Sequence, residues 1–477
     1  MLYNQVVSDK KLKFGGKVVE KFRIESDSIG QREVPIDAYY GVQSLRAHEN
    51  FRISGTKTHL EFIKAIIEIK KAAAITNGQA KVIDKKIVDA MVQACDEILA
   101  GKFIDNFIVD AVQGGAGTSF NMNANEVVSN RAIEILGGKK GDYSIVHPND
   151  HANCGQSTND VFPSAGKIAT IRLLKKAIEA LKVFNSALEL KAKQFANIIK
   201  MGRTEMQDAV PISFGQSFTA YSQAVKRDIF RFENAVKELS TLNMGGTAIG
   251  TGITADSEYI KNIVPNLSKV TNLELNQAED LVDATQNLDC FVYVSGIVKA
   301  CAATLSKMSN DLRLMSSGPR TGFAEINLPA KQNGSSIMPG KINPVIPEVI
   351  NQIAFNIIGN DTTITMAVEA GQLELNAFEP IIFYCLFESL ETLTNGIKVF
   401  TTDCIEGLTV NEDICEDEVE RSIGIVTALC PFIGYTKAAS LAKKALKEKK
   451  TVRTVLVEEN IISQSELDKI LDPQKMI

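Results

Sequence analysis

The chain has 477 residues and a formal net charge of −5, and its composition is 45% hydrophobic and 23% charged. This composition is ordinary for a globular protein, and a chain of this length can bury a large core in more than one domain. No dense lysine and arginine stripe occurs, which excludes nucleic acid as an expected partner. No apolar run reaches the ~20 residues that span a bilayer, so no membrane association is expected.

The eight cysteines are scattered singly, and none forms a C-x-x-C pair. This spacing suits neither a zinc site nor a disulfide framework, so reduced cysteines in a cytoplasmic protein are expected. The first 22 residues contain no apolar run of signal-peptide length.

In chain order, the first 145 residues contain short and interrupted patterns. Residues 113–126 form a polar, glycine-rich loop that leads into a helix, and residues 147–160 form a second polar loop. Residues 167–195 then place apolar side chains every three or four positions, which predicts a long amphipathic helix. Similar patterns predict helices over 212–240, 276–316, 348–370 and 380–402.

Five helices of this length cannot bury their apolar faces alone, so we expect a mainly α protein with a central five-helix bundle that also packs between subunits. The predicted domains are a mixed, mostly helical N-terminal domain (1–146), the central bundle (147–402) and a small helical C-terminal domain (403–477).

The stretch NGSSIMPGKINP (333–344) interrupts this helical pattern with two glycines and two prolines. Three other segments share its hydroxyl, amide and glycine content, namely 117–119, 156–160 and 202–205. Any one of them could simply cap a helix. Together, with the charge of Lys341, they describe a site that grips carboxylates, because donors at helix N-termini bind anions.

Several motifs that define other chemistries do not occur. The sequence has no Ser/His/Asp triad spacing, P-loop, G-x-G-x-x-G after a strand or H-E-x-x-H. The remaining chemistry is proton abstraction next to a carboxylate, which requires a positioned base and donors for the developing enediolate.

The segment GSSIMPGKINP resembles the signature loop of the aspartase/fumarase superfamily, whose members eliminate a group to give fumarate. Five further blocks are similar to those of the family and occur in the same order: GAGTSFNMNANEVVSNRA, HPNDHANCGQSTNDVFP, GRTEMQDAVPISFGQ, MGGTAIGTG and AGQLELNAFEP. The continuation NPVIPEVINQ resembles aspartate ammonia-lyases more than fumarases. The resemblance implies a homotetramer around a twenty-helix core, with each active site shared by three subunits.

The resemblance also implies a reaction, the deamination of L-aspartate to fumarate and ammonia by anti elimination. Ser335 would be the base that takes the Cβ proton and produces an enediolate. Backbone donors and Lys341 would have to stabilise its alkoxide. Gly334 and Gly340 would allow the loop to close as a lid.

The binding roles are likewise transferred from the family. Lys341, Asn343 and Thr204 would hold the α-carboxylate. The β-carboxylate, where negative charge builds, would be held by Thr118, Ser157 and Thr158. Asn159 would orient the leaving amine. No cofactor is required and no metal ligands are predicted, although activation by a divalent metal is left open.

Three positions depart from the family pattern. Glu205 stands where fumarases carry histidine and many aspartases carry histidine or glutamine. Glu205 could share one proton with Glu348 and remain a neutral donor, or it could be ionised and bind the substrate ammonium. Phe120 is bulkier than the usual residue, and Ser217 replaces a common glutamate; the sequence explains neither.

Other functions remain open at this point. A fumarate hydratase is the nearest alternative, although water as a leaving group needs a general acid and the histidine at position 205 is missing. An ammonia-lyase for a modified amino acid is also compatible with Glu205. A non-catalytic structural protein on the same fold would not need to keep Ser335, Lys341, Asn343 and Thr118.

Overall fold

The computed structural model describes residues 13–14, 17–18 and 21–476. The protein is mainly α, as predicted. The α-helices are α1 (Val42–Asn50), α2 (Leu60–Gln79), α3 (Lys85–Leu99), α4 (Thr118–Ile135), α5 (Thr158–Gln194), α6 (Phe214–Leu239), α7 (Ser257–Thr271), α8 (Leu281–Gln286), α9 (Asp289–Met315), α10 (Val345–Glu369), α11 (Glu379–Phe400), α12 (Glu412–Arg421), α13 (Cys430–Ile433), α14 (Tyr435–Glu448), α15 (Val452–Glu458) and α16 (Gln464–Ile470).

The strands form two-stranded pairs. The antiparallel pairs are β1 (Lys13–Phe14) with β2 (Lys17–Val18), β3 (Phe22–Asp27) with β4 (Gly30–Pro35), β5 (Ile199–Thr204) with β6 (Gln207–Ser213), and β9 (Ile326–Asn327) with β10 (Thr409–Val410). The parallel pair is β7 (Thr241–Leu242) with β8 (Asn276–Gln277).

The chain divides into two compact units, and the first contains residues 1–173, 235–295 and 360–388. Helix α2 is central in it and contacts α3, α4 and α7. Its side chains Ile66, Ile67 and Ile69 are fully buried, as expected for a helix that is apolar on most of its circumference. This unit carries the starts of α4 and α5.

The second unit contains residues 174–234, 296–359 and 389–477. The β5–β6 hairpin contacts α12, and its residues Ile199 and Met201 join a buried apolar cluster with side chains of α12, α14 and α15. Buried ion pairs fix the hairpin further, because Glu325 accepts from Lys200 Nζ at 3.1 Å and from Arg203 at 2.7 Å. This unit carries the signature loop.

The five long helices predicted from the apolar spacing are confirmed, with two corrections. Helix α5 begins at Thr158 rather than 167, because Ser157 Oγ accepts from the Asn159 N–H and caps it. The region predicted as one helix over 276–316 is β8, α8 and α9. Helix α8 ends at Gln286, the backbone of the next residue, Asn287, is extended, and α9 begins at Asp289. The three-domain division stays a prediction.

Among the described helices, α9 is the one that is long and apolar enough to cross a membrane, and half of its most apolar 18-residue stretch is buried. A core helix meets the same criteria. The eight cysteines form no disulfide within the described residues.

Candidate active site

The first group of predicted residues lies where α4 and α5 begin. Gly117 precedes Thr118 with a φ of +85°, and a Cβ at Gly117 would lie 2.3 Å from the Phe162 ring. Only glycine satisfies both the backbone conformation and the close packing. This contact places the N-terminus of α4 against the first turns of α5, so the donor ends of two helices converge.

The hydroxyls at these helix ends are oriented as donors. Thr158 Oγ1 accepts from Asn121 Nδ2 at 3.1 Å, and Ser157 Oγ accepts from the Asn159 N–H at 3.2 Å. Each hydroxyl therefore keeps its proton for another acceptor. Thr118 is exposed at the first position of α4. Two helix dipoles and three hydroxyls make this a favourable place for a carboxylate.

Asn159 is held at two points by the segment that follows β7. Pro163 has no N–H to donate to the Asn159 carbonyl one turn earlier. Asn243 Nδ2 donates to that carbonyl instead, at 2.9 Å. The Asn159 side chain donates from Nδ2 to the Ala248 carbonyl at 2.7 Å, so its Oδ1 remains available as an acceptor.

Asp160 joins the start of α5 to the same segment. Its fully buried carboxylate accepts from the Ser157 N–H at 2.9 Å and from the Gly245 and Thr247 N–H groups at 3.1 Å each. Burial raises the pKa of Asp160 to about 6, although these three backbone donors oppose the shift. The carboxylate thus organises the donor groups rather than facing a substrate.

The sequence reasoning missed Lys70, which is buried in α2 behind this group. Lys70 Nζ donates to Asn153 Oδ1 at 3.1 Å and to Gln156 Oε1 at 2.9 Å. The signal was the adjacent pair Lys70 and Lys71 in the middle of a helix that is rich in apolar residues. Adjacent helical residues point in different directions, so one of the pair had to face inward.

The second group lies in the signature loop of the other unit, which has no regular secondary structure over residues 333–344, as predicted. Ser335 Oγ accepts from the N–H of Ile337 at 3.2 Å and from that of Met338 at 3.0 Å. These are the backbone donors that a serine base would need. The Ile337 side chain is 84% exposed, so the loop presents apolar surface to solvent in the single chain.

The ends of this loop are bonded to each other. The Gly334 N–H donates to the Lys341 carbonyl at 2.7 Å, and Asn343 Nδ2 donates to the Gly334 carbonyl at 2.9 Å. A Cβ at Gly334 would lie 2.6 Å from the Lys341 carbonyl, so glycine is required for this approach. Gly340 adopts a φ of +79°. In the described part of the chain, no ion pair engages the exposed Lys341 ammonium.

Thr204 and Glu205 lie at the tip of the β5–β6 hairpin, which corrects the expectation of a loop before a helix. Glu205 and Met206 form a two-residue turn with φ values of +52° and +64°. Glu205 is exposed, and Glu348 is half-buried in the first turn of α10. No hydrogen bond joins these two carboxyls in the described residues. The described residues of one chain therefore provide no direct contact between Glu205 and Glu348, and the pairing of the two carboxyls stays a prediction.

The two unexplained residues have ordinary surroundings. Phe120 is buried in an aromatic cluster, with ring centroids 5.0 Å from Phe62 and 6.2 Å from Phe162. Its size therefore fills the core beside the start of α5. Ser217 lies in the first turn of α6, and its Oγ donates to the carbonyl of Ser213, the last residue of β6. Among the described residues, no cluster of three or more His, Cys, Asp or Glu side chains could hold a metal ion.

Comparisons with known proteins identify the family of the chain. Residues 30–359 match the family model described as lyase, and residues 425–477 match the fumarase C C-terminus. The chain is 51% identical to the aspartate ammonia-lyase of Bacillus subtilis (strain 168), covering 96% of each chain, and 48% identical to that of Escherichia coli (strain K12), covering 95% of this chain and 96% of the relative.

Two solved structures have the same fold over nearly the whole length. A fumarate lyase:delta crystallin from Brucella melitensis bound to cobalt is 45% identical, with a TM-score of 0.93 over 96% of this chain and 99% of that one. A class II fumarase from Schistosoma mansoni is 35% identical, with the same TM-score and coverage. The chain therefore belongs to the fumarase/aspartase superfamily and is a carbon–nitrogen lyase, as its signature blocks predicted.

Proposed function

We propose that this protein deaminates L-aspartate reversibly to fumarate and ammonia by anti elimination, with Ser335 as the base. The observation that carries the proposal is the pair of backbone N–H groups that point at Ser335 Oγ. Serine is a weak base because its alkoxide is unstable in water, and two fixed donors stabilise that alkoxide.

The reaction begins when Ser335 Oγ takes the proton from Cβ of aspartate. The electron pair of the broken C–H bond moves into the β-carboxylate, which becomes an enediolate. The hydroxyls of Thr118, Ser157 and Thr158 and the two helix N-termini stabilise the additional charge. The electron pair then returns to form the Cα–Cβ double bond, and the amine leaves Cα.

Asn159 orients the leaving amine through its carbonyl oxygen. Because Asn159 Nδ2 already donates to the Ala248 carbonyl, Oδ1 is the atom that can accept from the substrate ammonium. The α-carboxylate is bound by the Lys341 ammonium with the Asn343 amide and the Thr204 hydroxyl. Asn343 has one N–H left for this purpose, since the other donates to the Gly334 carbonyl.

We further propose a homotetramer with active sites shared between subunits. Several large apolar side chains on three of the long helices are exposed in the single chain, and water contact with such a surface is unfavourable. They are Val183 and Leu190 on α5, Phe230 on α6, and Phe355 and Met366 on α10.

Purified protein incubated with L-aspartate tests the proposed reaction through the absorbance of fumarate. We expect turnover without any added cofactor, and assays with a chelator or with Mg²⁺ decide whether a divalent metal activates it. Fumarate formed from malate but not from aspartate would identify a hydratase instead. Turnover of a substituted aspartate in preference to aspartate would identify a lyase for a modified amino acid.

We propose that the reaction takes place in the cytoplasm, where the scattered cysteines would stay reduced.

A further inference from the structure

Lys70 lies at one end of a chain of hydrogen bonds that reaches Thr158, one of the residues proposed to bind the substrate β-carboxylate. Its ammonium contacts Asn153 Oδ1 and Gln156 Oε1, and Asn153 Oδ1 also accepts from Asn121 Nδ2 at 3.1 Å. The same Asn121 Nδ2 donates to Thr158 Oγ1 at 3.1 Å. Lys70, Asn121 and Thr158 are all buried.

Two groups that cannot change roles set the direction of these bonds, because the Lys70 ammonium can only donate and the Gln156 carbonyl can only accept. The Asn153 atom that faces this ammonium must therefore be the carbonyl oxygen. Asn121 must then present its NH₂ group to that oxygen, and the same NH₂ group faces Thr158. Thr158 Oγ1 must therefore accept, and its proton points elsewhere. The far side of Asn153 agrees, because its Nδ2 donates to the Gln156 carbonyl at 3.0 Å.

We propose that Lys70 is a positioning residue which, through Asn153 and Asn121, forces the Thr158 hydroxyl to donate its proton to the substrate β-carboxylate. The inference rests on the proposed function, in which charge builds on this carboxylate. Without Lys70, Asn153 Oδ1 loses its charged donor, and only neutral bonds from Asn121, from Asn125 and to the Gln156 carbonyl hold the two amides in this orientation. Thr158 is then fixed as an acceptor less strongly, and its proton is directed less firmly at the substrate.

Two further observations support this role. Within the described residues the Thr158 hydroxyl donates to no protein acceptor, so its proton is available. Burial lowers the pKa of Lys70 to about 7, but a neutral amine still carries two N–H groups for the two facing oxygens. The chain of bonds therefore keeps its direction in both protonation states.

The test compares Lys70→Met with Lys71→Met. Lys71 is the adjacent residue, and its ammonium pairs with Asp96 at the surface, so its replacement should leave activity unchanged. For Lys70→Met we expect kcat to fall about 10- to 100-fold, the range for a lost hydrogen bond to a charged group. KM should change much less, because the bond strengthens as the enediolate forms.

A double-mutant cycle separates this role from a structural one. If Lys70 acts through Thr158, Lys70→Met should lower kcat little in a Thr158→Val background. If Lys70→Met lowers kcat as much in the Thr158→Val background as in the wild-type background, the inference is overturned. A wild-type kcat in the Lys70→Met single variant would also overturn it. Should Lys70→Met fail to fold, Asn121→Asp replaces the donor beside Thr158 by an acceptor and must show the same loss of kcat.

The wild type is assayed first with both L-aspartate and malate. Absence of aspartate turnover refutes the proposed function, and the same variants are then compared on malate. Normal aspartate turnover together with an unaffected Lys70→Met enzyme refutes only the role of Lys70.

Discussion

The Ser335 hydroxyl oxygen lies 3.0 Å from the backbone nitrogen of Met338 and accepts its hydrogen bond. The irregular backbone of the signature loop makes this arrangement possible, because it allows consecutive N–H groups to point at one oxygen. In a helix interior, the same N–H groups would be bonded to backbone carbonyls.

Replacing Ser335 by alanine should abolish most turnover and leave the fold intact. Loss of a positioned base costs about 10²–10⁴-fold in rate, and the exposed loop has little core packing to lose. Steady-state kinetics with L-aspartate and a circular dichroism melt measure the two effects. Ser336→Ala, which alters the neighbouring exposed hydroxyl, should be close to wild type. Wild-type turnover in Ser335→Ala would mean that another group is the base.

Replacing Lys341 by alanine should raise KM and lower kcat, because the substrate α-carboxylate loses its positively charged partner, the Lys341 ammonium. Lys331→Ala is the matched control, since that lysine lies near the same loop but pairs with Asp403 at 2.6 Å. Initial rates over a wide range of aspartate concentration separate the two parameters. An unchanged KM in Lys341→Ala would remove the carboxylate-binding role.

Glu205→Gln should keep most activity if Glu205 acts as a neutral hydrogen-bond donor, because a glutamine amide donates from the same position. The measurement is steady-state kinetics with L-aspartate. Glu348→Gln is the companion variant, and it should weaken activity if the two carboxyls act together. Loss of aspartate turnover in Glu205→Gln would instead show that the carboxylate acts in its ionised form.

The pH dependence of stability should include a contribution from Glu126. Its buried carboxyl accepts from the N–H groups of Gly41, Gln43 and Ser44 and from the Ser44 hydroxyl. Burial raises its pKa from 4.5 to about 7. The folded state therefore favours the protonated form, so this stabilisation is complete below about pH 4.5 and is lost as the pH rises through 7.

Urea unfolding of the wild type and Glu126→Gln at several pH values isolates this contribution. The stability advantage of the wild type should shrink by about 3 kcal/mol at most between pH 4.5 and 7. An advantage that grows with pH would mean that the four donors stabilise the ionised carboxylate more strongly than burial destabilises it.

Phe355→Asp should disrupt assembly, because Phe355 is 64% exposed on α10 and a charge there cannot be buried without a partner. Light scattering after size-exclusion chromatography should show species smaller than the wild-type assembly, which we propose to be a tetramer. Phe432→Asp is the control, since Phe432 is 65% exposed outside the long helices. Equal masses for all three proteins would exclude α10 from the subunit interface.

Local patterns in the sequence were sufficient for the mainly α class, the long helices and the identity of the signature loop. The spacing of apolar residues over 167–195 marks one helix face, and two glycines with two prolines break the pattern over 333–344. These properties depend on neighbours in the chain, so they can be recognised without a fold.

Three other features depend on contacts between distant residues. Glu205 and Met206 form a left-handed turn without glycine, and pairing of β5 with β6 holds them in it. The break between α8 and α9 contains no proline or glycine, so the sequence does not indicate that the helix is interrupted there. Lys70 and Lys71 look equivalent in the sequence, but packing of α2 against its neighbours turns one of them toward Asn153 and the other toward Asp96. Burial and bond direction are decided by which surfaces meet, and only the tertiary structure specifies that.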